Sequence, residues 1–142
     1  MTDVYNSEKR SEIMARVRAT GSKPEVIVRQ VAHGLGYRFR LHRPDLPGKP
    51  DIVFPRYRRV IFVHGCFWHG HKGCAKAKRP SSNRAFWDRK LSRNLERDCE
   101  NAVVLRRAGW KVLVIWGCET QDRERLAARI SRFLEENRDW ER

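Results

Sequence analysis

The sequence predicts an α/β fold, a single domain with a mixed central sheet flanked by helices. Segments of helical and strand periodicity follow one another as helix, helix, three strands, helix, strand, helix. The chain has 142 residues and neither an internal repeat nor a linker, so one domain spanning 1–142 is expected. Residues 110–116, Trp-Lys-Val-Leu-Val-Ile-Trp, are an almost unbroken apolar run of strand length. Such a run suits a strand covered on both faces, which makes it the expected central strand.

Residues 8–20 carry Ile13, Met14 and Val17 on one side, and Gly21 follows as a stop, which predicts a short amphipathic helix. Ser22-Lys23-Pro24-Glu25 is a capping box with proline in the first turn. It opens a helix with Ile27, Val28, Val31, Ala32 and Leu35 on its apolar face, closed by Gly36. Residues 37–42 alternate apolar and polar, predicting a half-buried strand. After a proline-rich loop, residues 51–54 and 60–64 flank a turn at 55–59 and form a hairpin. The loop 65–83 is long for a compact domain, and loops of that length are usually functional. Trp87, Leu91, Leu95, Cys99 and Ala102 then keep helical spacing up to Gly109, with Cys99 expected in the core. Leu126, Ile130, Phe133 and Leu134 mark a last amphipathic helix.

Lys plus Arg number 31 against 17 Asp plus Glu, a net charge of +14 spread along the chain. A polyanion is the expected partner. Hydrophobic residues make up 40% of the chain, enough for a folded core rather than a disordered basic tail. No run of about 18 apolar residues exists, and no predicted helix pairs a basic face with a long lipid-seeking one. The polar start has no secretory apolar segment, so a cytoplasmic protein is expected. There, four cysteines read as metal ligands or free thiols, not disulfides.

The densest chemistry lies in 64–74, His-Gly-Cys-Phe-Trp-His-Gly-His-Lys-Gly-Cys. Cys66, His71 and Cys74, with Cys118 beyond the last strand, would make a closed tetrahedral Cys3His zinc site. His69 is an alternative to His71, and spacing does not choose between them. Asp51 heads a strand beside a proline-shaped loop, where a carboxylate can hold Mg2+ against a phosphate. A turn aspartate explains the same residue. His64 ends the next strand and His69 follows in the loop, so both are placed to do acid–base work at the same end of the hairpin. Glu25 is explained by capping alone. Phe67 and Trp68, set among charged and metal-binding residues, are expected as exposed rings that stack on or wedge between bases. Trp87 is either a third such ring or core. Lys90, Asn94 and Arg97 share a helical face, either solvated or reading base edges in a groove.

Taken in order, Glu25, Pro50-Asp51-Ile52-Val53, His64-Gly65-Cys66-Phe67-Trp68-His69-x-His71, Phe86-Trp87, Asn94-x-x-Arg97-Asp98 and Gly109-Trp110-x-Val112 resemble the very-short-patch (Vsr) DNA mismatch repair endonucleases over nearly the whole chain. The resemblance implies a PD-(D/E)xK restriction-endonuclease-like core and a strand-specific nick 5′ of the thymine in T:G mismatches left by 5-methylcytosine deamination. It implies that Asp51 and the backbone carbonyl of Val63 bind Mg2+, that His69 activates water, and that His64 and Glu25 support bound waters and the leaving group. Glu25 then both caps and acts. The resemblance further implies that Phe67, Trp68 and Trp87 wedge beside the mismatch, that Met14 in the helix at 1–20 probes the minor groove, and that Cys66, His71, Cys74 and Cys118 hold zinc. A monomer working on double-stranded DNA at the bacterial nucleoid, with possible repair-protein partners, is the implied setting.

The chain departs from that pattern in places. Phe62, Val63 and His64 stand where such nucleases carry a carboxylate and a lysine, so histidines must substitute. Val63 replaces a threonine, which spares a main-chain ligand but not a hydroxyl. One extra residue lies within Lys72-Gly73. The rival from another class is a zinc-stabilised nucleic-acid-binding module without catalysis, and the nearer rival is a nuclease cutting matched DNA.

Overall fold

The computed structural model describes residues 23–136. The predicted helix at 8–20, with Met14, and the capping residue Ser22 lie outside them. Within them run helix α1 (Lys23–Gly34), strands β1 (Arg40–Leu41), β2 (Ile52–Phe54) and β3 (Arg59–His64), helix α2 (Arg84–Arg107), strand β4 (Lys111–Trp116) and helix α3 (Arg123–Glu135). Short 3-10 turns at Ala75–Ala77 and Gly117–Gln121 complete the order. Gly36 (φ 90°) and Gly109 (φ 93°) adopt the left-handed backbone that lets the chain leave α1 and α2.

The four strands form one mixed sheet in the order β1-β2-β3-β4. β1 and β2 pair antiparallel, as do β2 and β3 across a tight turn in which Tyr57 N donates to Phe54 O. β3 and β4 run parallel from Arg59↔Lys111 to His64↔Trp116, with α2 as the crossover. Strand alternation sends side chains to opposite faces. On one face Ile52, Phe54, Ile61 and Ile115 pack against Val28, Val31 and Ala32 of α1 and Leu126, Ile130 and Leu134 of α3. On the other, Val53 and Val60 meet Leu105 of α2 and Trp110. The result is a three-layer domain, as a mixed α/β sheet requires.

Three expectations change. Among the described residues β4 is a margin of the sheet rather than its centre. An apolar run reports cover on the two faces, which α2 and α3 supply, and says nothing about lateral neighbours. Its outward backbone is partly occupied: Arg129 Nη2 donates to Val114 O at 3.2 Å, and Trp116 N donates to Glu119 Oε1 at 3.0 Å. The ladder of β1 covers only Arg40 and Leu41, while Tyr37 and Phe39 pack edge-on against Phe54 without pairing. Cys99 is exposed, not core, as is Leu95. Helix α2 is long enough to touch one aromatic cluster near its start and the sheet near its end, and the face that carries Leu95 and Cys99 between them points outward.

Arg59 is buried at the start of β3, and its guanidinium donates to the carbonyls of Phe133 and Leu134 at 2.8 and 2.5 Å and to that of Glu136. Those are end groups of α3 that lack helical partners, so a fixed cation there anchors the helix to the sheet.

Candidate active site and metal centre

The hairpin of β2 and β3 brings two groups of donors to one end of the sheet. Asp51 immediately precedes β2, and its Oδ2 accepts from Val63 N at 2.7 Å. That bond ties the carboxylate to the strand that ends in His64. Glu25, 3% exposed on the first turn of α1, turns its carboxylate toward the same place, where Arg29 and His42 contact it. The ligand atoms of Glu25, His42 and Asp51 all lie within 4.8 Å of one another. Burial pushes the Asp51 carboxyl up to about 7, against the Val63 N–H that favours its charged form, and the Glu25 carboxylate raises it further. Two carboxylates driven to share a proton are relieved when a divalent cation takes its place, so the donor set fits Mg2+.

The second group is His64, His69 and Asp98, also within 4.8 Å of one another. The imidazoles of His64 and His69 stack with centroids 3.8 Å apart and planes 7° from parallel. His69 Nδ1 meets Asp98 Oδ2 at 2.6 Å. A carboxylate bonded to Nδ1 holds the tautomer whose Nε2 accepts a proton, the arrangement a general base needs. Burial, and then the neighbouring His69, push the His64 imidazole down to about 4, so it is neutral at pH 7. It can therefore accept or donate a hydrogen bond but does not contribute a positive charge. The carboxylates and the imidazoles thus form two clusters, linked through the Val63-His64 backbone, rather than one shell around one ion.

A third cluster joins the loop to the last strand. The ligand atoms of Cys66, His71, Cys74 and Cys118 lie within 4.8 Å of one another, with Cys118 Sγ 3.5 Å from His71 Nδ1. The geometry selects His71 over His69, which is occupied with Asp98. Three thiols and an imidazole within that radius fit the tetrahedral sulfur–nitrogen shell of a structural zinc ion. Burial and the facing thiols of Cys66 and Cys74 push the Cys118 thiol up to about 11, the crowding that a cation would neutralise. Trp116 stacks on His71 at 4.2 Å and meets His64 edge-on at 5.3 Å, so one ring borders both this cluster and the imidazole pair.

The aromatic residues depart from expectation. Trp68 and Trp87 are each 7% exposed and pack on Leu91, with Phe67 half-buried against them. They are not free flat rings but a small separate core between the loop and α2. Phe86, 47% exposed, lies edge-on to Trp87 at its border. Lys90 sits over the Trp68 and Phe86 rings at 5.2 and 5.7 Å. Asn94 is buried rather than displayed, and its Nδ2 donates to Trp68 O at 3.1 Å, a structural bond that removes it from the groove-reading face. Arg97 is exposed, as are Arg89 and Arg93 on the same helix. Met14 lies outside the described residues.

Sequence reasoning assigned no role to Asp98, His42 or Trp116. Asp98 stands 29 residues from its partner His69, and only folding reveals the pair. No helix among the described residues is long and apolar enough to cross a membrane.

With that geometry in place, comparison with known proteins is informative. Residues 2–76 match the family model described as DNA mismatch endonuclease Vsr. The chain is 48% identical over 135 residues to the type II nicking enzyme V.XorIIP of Xanthomonas oryzae pv. oryzae, covering 95% of this chain and 98% of that one. It is 41% identical over 139 residues to the type II nicking enzyme V.NmeAIP of Neisseria meningitidis, covering 98% and 99%. With the DNA mismatch endonuclease Vsr of Escherichia coli it shares 39% identity over 126 residues, covering 89% and 80%.

Proposed function

The chain belongs to the Vsr family of DNA mismatch endonucleases, with its restriction-endonuclease-like fold, and from that premise we propose that it is a Mg2+-dependent nickase that cuts 5′ of the thymine in T:G mismatches. Its substrate class is DNA and its reaction is phosphodiester hydrolysis. Cleavage of one strand rather than two is supported by the names of its relatives, several of which are nicking enzymes. The mismatches are those left by deamination of 5-methylcytosine, and the setting is the bacterial cytoplasm.

The observation that carries the reading is the junction at Val63, where the amide that binds Asp51 is followed directly by the His64 ring stacked on the Asp98-bound His69. Asp51, with the carbonyl of Val63, would hold Mg2+, and the proximity of Glu25 to Asp51 extends the role of Glu25 from supporting bound waters to direct ligation. Bound there, the cation would polarise the phosphate and steady the departing oxyanion. His69 takes a proton from water at Nε2 while Asp98 holds its Nδ1. His64, neutral and buried, orients water or the leaving oxygen by hydrogen bonding.

Recognition would come from the loop and α2. Phe67, with Trp68 and Trp87 behind it, enters the base stack beside the mismatch, where unstacking is less costly than at a normal pair. The burial of the two tryptophans means that they act by moving as a cluster or by backing Phe67. Lys90, Arg97 and the +14 surface add affinity through phosphates without reading sequence. Residues 1–20 add a minor-groove contact through Met14, within a single nuclease domain spanning 1–142. Zinc held by Cys66, His71, Cys74 and Cys118 fixes the wedge loop to the end of β4.

A strand-resolved cleavage map tests this directly. Duplexes carrying T:G, T:A or C:G at one position are incubated with Mg2+ or with EDTA. A single cut 5′ of the mismatched thymine, present only with Mg2+, is expected. Equal cutting of matched duplex would overturn the mismatch assignment, and cutting in EDTA would overturn the metal.

A further inference from the structure

We propose that His42 is a third protein ligand of the divalent cation held by Asp51 and Glu25, which makes the site a mixed nitrogen–oxygen one. The inference rests on the assignment of Asp51 and Glu25 to the cation given above.

His42 lies immediately after β1, and its amide donates to Asp51 O at 3.3 Å, continuing the β1–β2 pairing one step past Leu41↔Ile52. Its φ of 49° is in the left-handed region, uncommon for a residue other than glycine, and it turns the chain sharply at the point where the strand would otherwise continue. The imidazole is thereby carried to the carboxylates: Nε2 is 3.3 Å from Glu25 Oε2 and within 4.8 Å of the Asp51 ligand atom. Around a cation with bonds of about 2.1 Å, adjacent octahedral ligands sit roughly 3 Å apart and opposite ones roughly 4.2 Å apart. The His42–Glu25 separation of 3.3 Å is close to the adjacent-ligand distance, and all three donors already lie within 4.8 Å of one another.

An ion pair between His42 and Glu25 does not account for the placement by itself, because Arg29 already supplies Glu25 with a positive partner. A neutral imidazole offers what Arg29 lacks, a lone pair directed into the cluster. One nitrogen among oxygen donors alters selectivity. It strengthens binding along the series from Mn2+ to Ni2+ while adding little for Mg2+, which prefers oxygen.

The test uses the full chain loaded with zinc and stripped of other metals. Free Mn2+ is followed by electron paramagnetic resonance, and Mg2+ and Ni2+ binding by calorimetry, for wild type, His42→Ala, His42→Gln and Asp51→Ala. His42→Ala is expected to weaken Mn2+ at least about tenfold, the usual scale for losing a contact in a metal shell, and Mg2+ by less. His42→Gln, with an oxygen donor of similar reach, is expected to recover Mg2+ binding but not Ni2+ binding. Unchanged thermal midpoints of the zinc-loaded variants without added divalent cation would show that they fold. Broadening of the His42 ring resonances by Mn2+ in the wild-type protein is also expected, since the ring lies beside the site, and the substitutions decide ligation itself. If Asp51→Ala loses Mn2+ and His42→Ala binds it like wild type, His42 is not a ligand although the cation site stands. If Asp51→Ala also binds Mn2+ like wild type, the cation site fails and this inference fails with it. Broadening confined to His64 and His69 would likewise overturn it.

Discussion

Replacing Asp51 with asparagine should make the Mg2+-free protein more stable at alkaline pH while abolishing its activity. Burial and the Glu25 carboxylate raise the Asp51 carboxyl to about 7, whereas an exposed aspartate in the unfolded chain titrates near 3.9. The folded state therefore holds a proton that the unfolded state has released. Below about pH 4 both states are protonated and the residue is neutral in its effect. Between about 4 and 7 stability falls as pH rises, and above 7 the full penalty is present. About three pH units at roughly 1.4 kcal/mol each give up to about 4 kcal/mol, shared with Glu25 because the proton is shared. Asparagine resembles the protonated form: its oxygen can accept from Val63 N and its amide can donate to Glu25. Thermal unfolding of the zinc-loaded protein without Mg2+ at pH 8 should then show Asp51→Asn melting higher by on the order of 10 °C, with the gain vanishing near pH 4. Saturating Mg2+ should reverse the order, since the variant has lost one of the two charged ligands that the wild type offers. A variant that melts lower than wild type at pH 8 without Mg2+, or gains equally at pH 4 and pH 8, would refute the reasoning.

Wild-type half-saturation by Mg2+ should fall as pH rises toward about 7 and then level off, because the cation competes with the Asp51 proton; nicking rate against Mg2+ at several pH values measures it. Asp98→Asn should lower the nicking rate by about 10²–10⁴-fold with duplex affinity unchanged, as expected when the partner that fixes an imidazole tautomer is lost, and pre-steady-state cleavage with a binding titration separates the two. Elemental analysis should find about one tightly held zinc per chain, lost in Cys118→Ser together with a lower melting temperature. Trp68→Ala should destabilise the protein by about 3–5 kcal/mol because it empties a buried ring site. Phe67→Ala, at a half-buried ring, should cost less stability than Trp68→Ala and lower the preference for T:G over T:A, and so gives the cleaner measure of the wedge.

Periodicity made most of the fold legible. The apolar faces of α1 and α3 and the hairpin of β2 and β3 follow from spacing, because each buries one face against the sheet. The position of β4 did not follow, since burial of faces does not encode which strands lie beside which. Along α2 the pattern misled at Leu95 and Cys99: a helix that serves two separate cores leaves a stretch between them that packs on neither. In the site, the Cys66, His71, Cys74 and Cys118 set was visible because three of the four lie within nine residues. His42 looked like the polar position of an alternating strand, and only its left-handed backbone shows where the ring goes. Asn94 looked like a base reader because helical spacing gives direction around an axis but not what waits there, which is the Trp68 carbonyl.

The margin position of β4 has a consequence for the molecule in solution. A lateral strand presents amide and carbonyl groups that another chain can adopt, the usual beginning of intermolecular β-pairing. Here the outward carbonyl of Val114 is taken by Arg129 and the outward amide of Trp116 by Glu119, and these two side chains are themselves paired. Among the described residues, a single charged couple thus occupies one carbonyl and one amide of that rim with groups from its own chain. Removing Arg129 would offer that rim to a second molecule, and self-association would then depend on protein concentration and not on DNA.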